Sequence, residues 1–321
     1  MKKTNKTIIE FIPEFFEYLD IEKGLSHNSQ TTYFRLINKF EKWLKENNLA
    51  NLKPFELTSD HIWKYRVYLS QTYNKNNHQP LKKRSINYYL IALRNFLNFF
   101  ADRDILSLPA EKIKLIKEKT EKSIKFLNLE QIEKLLLAPD ITSEIGLRDR
   151  AILEVLFSTG LRVAELVNLN QDQIKINNLN DDLEINVIGK GGKIRPVYLS
   201  PRSLKALKDY LETRKNDGEK ALFINYKGPK AALRRLTTRS VENIVKKYVL
   251  KSGISIPASP HTIRHSFATD LLMQGVDLRL VQEFLGHRNI ATTQIYTHVT
   301  SKKLKDIHSK YHSGERKFSA K

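Results

Sequence analysis

At 321 residues the chain is long enough for two domains, each with a core of its own. Its 55 Lys plus Arg against 35 Asp plus Glu leave a formal charge of +20, which points to a polyanionic partner, nucleic acid first. With no cysteine it cannot use disulfides, zinc ribbons or a cysteine nucleophile. No apolar run reaches the roughly 18 residues of a membrane span, so a reduced, cytoplasmic protein without a membrane partner is expected.

Residues 1–107 read as a helical bundle. Ser26 is placed to cap a helix on which Tyr33, Ile37, Phe40 and Leu44 recur at three- and four-residue steps, ending near Asn47 and Asn48. Thr58 opens another, with Ile62, Tyr65, Leu69 and Tyr73 on one stripe. After a loop containing Asn74, Asn76, Asn77 and Pro80, the residues Ile86, Leu90, Leu93, Leu97 and Phe100 mark a further helix. These stripes form a core and carry no chemistry. The outward residues Thr31, Thr32, Arg35, Lys64, Arg66 and Arg94, with Lys82, Lys83 and Arg84 opening the last helix, mix hydroxyls with cations. That mixture suits phosphate and base-edge contacts, so a DNA-gripping lobe is expected. Residues 108–125 are charged and lysine-rich and read as a linker, with a short helix near 109–117 as an addition.

From residue 126 to 321 the character is mixed. Residues 129–137 and 147–158 have helical periodicity, and Gly160 is placed to stop the second. Residues 182–188 alternate, with Leu183, Ile185 and Val187 on one face, and 194–199 form a second strand-like run. Gly189-Lys190-Gly191-Gly192-Lys193 joins the two as a hairpin turn. Helices follow over 201–215 and 238–251, separated by a basic segment with Lys230, Arg234, Arg235 and Arg239, of which the three arginines are further candidate DNA contacts. The fold class is mainly α with a small antiparallel sheet: a helical bundle, then an α+β domain with a C-terminal tail.

The chemistry concentrates in residues 259–298. Ser259 suits an N-cap and Pro260 the first turn of a helix, so His261 and Arg264 share one face. Gly286 is placed to end a second helix, His287 follows at once, and Tyr296 comes nine residues later. Two histidines, an arginine and a tyrosine on successive short elements suggest a phosphate-handling site. No HExxH, no cluster of His and Asp ligands and no trio of carboxylates on an alternating strand scaffold occurs, so metal-dependent nuclease chemistry has no support. GKGGK lacks P-loop spacing and lies between strands, so ATP use has none either. No metal or cofactor is expected.

Arg162, Lys190, His261, Arg264, His287 and Tyr296 remain. The stretches TGLRVAELVNL, VIGKGGK, SPHTIRHSFATDLL, LGH and IYTHV, in that order, resemble the tyrosine recombinase and integrase family, and within it the Xer type. The resemblance is strong over residues 127–312 and architectural before that. It implies a helical core-binding domain and a catalytic domain in which Tyr296 attacks a phosphodiester and forms a covalent 3′-phosphotyrosine. In the same way it implies that Lys190 protonates the departing 5′-oxygen. Arg162 and Arg264 suit the task of neutralising the pentacoordinate transition state, and His261 and His287 suit hydrogen bonding to phosphate or proton exchange with the nucleophile. Glu165, three residues after Arg162, is placed to orient it, and His265 has a supporting role. One departure stands out: Tyr311-His312-Ser313-Gly314 occupies the place where Xer-type chains commonly continue to His-Pro-Arg.

The resemblance further implies double-stranded DNA with an inverted-repeat site as partner, a dimer on that site, and a tetramer that exchanges strands through a Holliday junction. Residues 304–311 are a candidate helix for contact with the next protomer. A second recombinase or an activating DNA translocase stays open as a partner. Chromosome-dimer resolution in the cytoplasm, on the nucleoid, is the expected role. Integration or transposition of a mobile element, and type IB topoisomerase-like relaxation, are the alternatives.

Overall fold

The computed structural model describes residues 1–73, 79–117, 125–176, 178–189, 192–214, 218–226 and 234–286. The chain divides into two compact units, Met1–Glu121 and Lys122–Lys321. No described helix is long and apolar enough to cross a membrane.

The first unit is built from α1 (Ile12–Ile21), α2 (His27–Glu46), α3 (Ser59–Gln71) and α4 (Lys83–Asp102). The stripes expected from periodicity are its core: Ile37, Phe40 and Leu44 of α2, Ile62, Tyr65 and Leu69 of α3, and Ile86, Leu90, Leu93, Leu97 and Phe100 of α4 are all buried. Aromatic rings fill the centre in edge-on and tilted pairs, with Phe15 4.9 Å from Phe96 and Tyr65 4.9 Å from Phe40. Each such side chain contributes on the order of 2–3 kcal/mol through the apolar area it removes from water. Thr58 caps α3 by accepting from the His61 amide at 3.4 Å. Tyr73 does not extend the α3 stripe. Thr72 is already extended at ψ 127°, so the helix stops before the next turn and Tyr73 stands 63% exposed.

The charged segment after residue 107, read from sequence as the start of a linker, is fastened to this unit as far as Ile116. Ala110 and Ile113 are buried in its core. Asn87 exchanges two hydrogen bonds with the Ile116 backbone, at 2.9 and 2.8 Å, while Arg94 donates to the Ala110 carbonyl at 3.3 Å and Arg66 to that of Lys114. Three apolar residues among lysines were enough to dock it. The short helix expected near 109–117 is a 3-10 turn over Ala110–Lys112.

The second unit contains α5 (Leu129–Leu137), α6 (Glu144–Thr159), α7 (Val163–Asn168), the hairpin β1 (Leu183–Ile188) and β2 (Ile194–Leu199), α8 (Pro201–Glu212), α9 (Thr238–Lys251), α10 (Pro260–Gln274) and α11 (Leu278–Leu285). Its middle is α6, whose Ala151, Ile152, Leu153, Val155 and Leu156 are each no more than 1% exposed. A helix buried all round must be packed by neighbours on every side, here α5, α8, α10 and β2. The hairpin is antiparallel with Val187 opposite Arg195 and Ile188 opposite Ile194. Val197 and Leu199 point into the core, and α11 packs Val281 and Leu285 on Ala268 and Leu272 of α10.

Two buried ionic groups brace this unit. Asp149 accepts from Arg148 at 3.0 and 2.6 Å and from the Tyr248 hydroxyl at 2.9 Å. Glu154 accepts from Arg150 at 2.9 Å and from Arg202 at 2.8 Å. Both carboxylates lie on α6, so the central helix is tied to its neighbours by charge as well as packing.

Candidate active site

Glycine endings bring the site together. α6 stops at Gly160, whose φ of 59° is left-handed, and an ideal Cβ there would lie 2.5 Å from the Phe267 ring. Leu161 is buried, and Arg162 follows as the N-cap of the short α7. α11 ends the same way at Gly286, φ 61°.

Arg264 reaches across both endings. Ser259 caps α10, accepting from the Thr262 amide at 3.4 Å, and Pro260 occupies the first turn. One turn on, the Arg264 guanidinium, 4% exposed, donates to the Gly160 carbonyl at 2.6 Å and the Leu285 carbonyl at 2.5 Å. Arg162 donates to the next carbonyl, Gly286, at 3.2 Å. The two guanidiniums therefore converge on consecutive backbone oxygens immediately before His287. Their N–H forks are poised where a doubly oxygenated anion can be gripped.

Glu165 anchors Arg162. Its carboxylate accepts from the Arg162 amide at 2.9 Å, the Arg162 side chain at 3.0 Å, and two N–H groups of Arg195 at 3.0 and 2.7 Å. Burial pushes the Glu165 carboxyl up, but the hydrogen bonds from Arg195 and then Arg162 outweigh it and hold the group below its ordinary value.

His261 lies on the exposed face of α10. Partial burial, then the charges of Arg264 and Arg162, hold its imidazole below the ordinary value, against a small opposing effect of Glu242. His265, one turn later, is pushed down to about 4 by burial and by the charges of His261 and Arg264. Both rings are therefore neutral near pH 7 and can accept a proton or donate one N–H. The sign for stability follows: a depressed folded value favours the neutral folded form, so stability is present above the ordinary 6.5 and is lost as pH falls toward about 4. Thermal melts should show that fall, and His265→Gln should flatten it. An unchanged slope in the variant would place the effect elsewhere.

Lys190, His287 and Tyr296 lie outside the described residues. The described flanks of Lys190 form a tight turn, with the Gly189 amide donating to the Lys193 carbonyl at 2.7 Å and Gly192 at φ 75°. A cleft of about 470 Å³ opens between this hairpin and α11, lined by Gly189, Arg195, Tyr198, Leu280, Phe284 and Gly286 among others.

The candidate DNA contacts divide. Thr32, Arg35, Lys82, Lys83, Arg84 and Arg239 are exposed, and Arg234 is partly so. Thr32 returns its hydroxyl to the Asn28 carbonyl at 2.9 Å and Arg239 pairs with Glu242 at 3.2 Å, both weak commitments at an exposed site. Lys82, Lys83 and Arg84 crowd the start of α4, where the helix dipole disfavours cations and the first turn holds no acidic residue. Three arginines are engaged within the protein: Arg66 donates to the Lys114 carbonyl. Arg94 is turned toward the Ala110 carbonyl. Arg235 donates to the carbonyls of Val167 at 2.6 Å and Leu169 at 2.9 Å, and to the Asn170 side chain. The Arg94 and Arg235 guanidiniums satisfy buried backbone oxygens that no sequence neighbour could reveal. Arg235→Ala should accordingly cost about 2 kcal/mol in urea unfolding and leave the salt dependence of DNA binding unchanged, whereas Arg84→Ala should lower the salt slope by about 1. The reverse pattern would restore Arg235 to the DNA surface.

Sequence reasoning missed Arg195. The available signal was an arginine at a position in phase with Val197 and Leu199, the inward face of β2.

Residues 125–303 match the phage integrase family, and residues 12–104 match the phage integrase N-terminal SAM-like domain. The chain belongs to the phage integrase family. Its curated relatives include Tyrosine recombinase XerD of Listeria innocua serovar 6a, 36% identical over 310 residues that cover 94% of this chain and 98% of that protein. Tyrosine recombinase XerD of Staphylococcus haemolyticus is 33% identical over 314 residues, covering 96% and 99%. Among solved structures, XerH site-specific recombinase bound to difH substrate aligns with a TM-score of 0.67 at 23% identity, over 95% of this chain and 85% of that one. A lambda integrase dimer bound to a COC′ core site aligns at 0.65 and 16%, over 89% and 97%. These two show a shared fold, mostly helical with a small antiparallel sheet, as the sequence led us to expect for this recombinase.

Proposed function

We propose that this protein is a Xer-type site-specific recombinase that cuts and rejoins DNA strands through a covalent 3′-phosphotyrosine at Tyr296. Arg162 and Arg264 take the non-bridging oxygens of the scissile phosphate as negative charge spreads over them in the transition state. Glu165 orients Arg162, His261 and His287 hydrogen-bond the phosphate or exchange the nucleophile's proton, and Lys190 protonates the leaving 5′-oxygen. The phosphotyrosine keeps a reactive phosphodiester, so rejoining needs neither ATP nor a metal. The observation that carries the proposal is the convergence of Arg162 and Arg264 on the adjacent carbonyls of Gly286 and Leu285, at the doorstep of His287.

The Xer assignment is supported by curated XerD relatives that match nearly end to end. On that basis the biological role is chromosome-dimer resolution in the cytoplasm, on nucleoid DNA. The protein binds an inverted-repeat duplex as a dimer and pairs two duplexes as a tetramer, with room for a second recombinase and a DNA translocase as partners. Thr32, Arg35, Lys82, Lys83 and Arg84 of the first unit and Arg234 and Arg239 of the second supply phosphate contacts.

The test begins by mapping the DNA that the protein occupies in its host and building a duplex on that site, nicked beside the cleavage position. In EDTA the full chain should become covalently attached, and protease mapping should put the DNA on the peptide holding Tyr296. Attachment at another residue, or none in EDTA, would overturn the proposal. Relaxation of supercoiled plasmids lacking the site would replace it with a topoisomerase.

A further inference from the structure

Arg195 ties β2 to Glu165 and to the end of α11, yet no motif includes it. It stands on the inward face of β2, where the alternation calls for an apolar residue, and its side chain is only 12% exposed. A guanidinium in that position must be fully engaged to be tolerated. It presents a two-pronged fork to Glu165 and donates its Nε to the Phe284 carbonyl at 3.3 Å. Glycines press against it from two turns: a Cβ on Gly286 would come within 2.9 Å of the Arg195 Cδ, and one on Gly189 within 3.0 Å of its Nη1.

Two arginines thus share one carboxylate unequally. Arg195 takes the bidentate grip, while Arg162 gives Glu165 a single side-chain N–H and stays 28% exposed. If Arg195 were neutral, the whole negative charge of Glu165, in a partly desolvated setting, would fall on Arg162. The carboxylate would then compete with a phosphate for the same fork.

We propose that Arg195 is a positioning residue that occupies the Glu165 carboxylate and so keeps Arg162 open to the scissile phosphate, a role that rests on the recombinase function argued above. Arg195 touches neither substrate nor nucleophile in this role. It acts through Glu165, and through Phe284 and Gly286 it also fixes the end of the helix that leads to His287.

The experiment uses the full chain and the nicked duplex described above. Arg195→Gln should stay folded at 25 °C and bind the duplex as the parent does, but form the covalent complex about 10²-fold more slowly. On a duplex whose scissile phosphate is a neutral methylphosphonate, Arg162 has no charge to neutralise, so the defect should shrink to a few-fold. Adding Glu165→Gln removes the competing carboxylate, so the double variant should be faster than Arg195→Gln alone, a sign that lost packing cannot produce. Arg195→Lys keeps the charge without the fork and should recover part of the rate. It is also the variant to carry through the same series if Arg195→Gln fails to fold. A rate equal to the parent's, or an equal defect on both duplexes that Glu165→Gln does not relieve, overturns this proposal alone. If the parent protein forms no covalent complex, the recombinase function falls and this proposal with it.

Discussion

Arg264→Ala should form the covalent complex with nicked DNA about 10³-fold more slowly than the parent, against the complete loss expected of Tyr296→Phe. The size follows from what the guanidinium does in the site. It is the buried member of the pair, and its removal leaves Arg162 as the remaining described guanidinium for the phosphate charge. A second effect comes with it. The Gly160 and Leu285 carbonyls lose their donor, and unpaired buried oxygens of this kind cost about 1–3 kcal/mol. Arg264→Lys separates the two losses. Lysine restores the charge and can reach one carbonyl, so most of the stability should return, while a single ammonium cannot bridge two carbonyls and still grip a phosphate. Single-turnover cleavage at 25 °C together with urea unfolding of both variants checks this. A lysine variant with parental cleavage would remove the fork from the mechanism.

Gly160→Ala should destabilise the protein by about 2–5 kcal/mol, summing a left-handed φ that costs an L-residue about 1–2 kcal/mol and an overpacking cost of about 1–3 kcal/mol. The second part arises because the new methyl would lie 2.5 Å from Phe267 Cδ1 and 2.8 Å from its Cε1. Only the steric part can be relieved from outside, so Phe267→Leu in the same chain should recover about half of the loss. Cleavage should fall too, because Gly160 offers the carbonyl that Arg264 holds and lies two residues before Arg162. Melts within 1 kcal/mol of the parent at ~25 °C would show that the turn can rearrange, since strain of this size is not absorbed without a backbone shift.

The helices were legible where burial follows a local period. The stripes of α2 and α4, that of α3 as far as Leu69, the hairpin strands and the glycine stops at 160 and 286 appear where residue spacing puts them. The capping pattern at Ser259 marked the start of α10. What could not be read was the destination of long cationic side chains. Arg94 and Arg235 look like any exposed cation in a chain of charge +20, and Arg195 shows its inward phase but not its partners, yet each ends on an oxygen brought near by tertiary folding. The partners of Arg195 lie 30 and 89 residues away, and those of Arg235 between 65 and 68. The same limit hid Ala110 and Ile113, which a lysine-rich neighbourhood disguised as linker. Hydrophobic period reports which face is buried, but it carries no information on which backbone carbonyl awaits a donor.

The bond from Arg162 to the Gly286 carbonyl spans 124 residues, and that separation has a consequence for the protein's birth. During synthesis the N-terminal unit and most of the catalytic core emerge while the end of α11 is still in the ribosome. Arg162, Glu165 and Arg195 can gather early, but Arg264 and the carbonyls of Leu285 and Gly286 arrive only with the last part of the chain, at about 5–20 residues per second. A nascent chain that stops short of the end of α11 therefore lacks the carbonyls on which Arg162 and Arg264 converge, however far the earlier helices have folded.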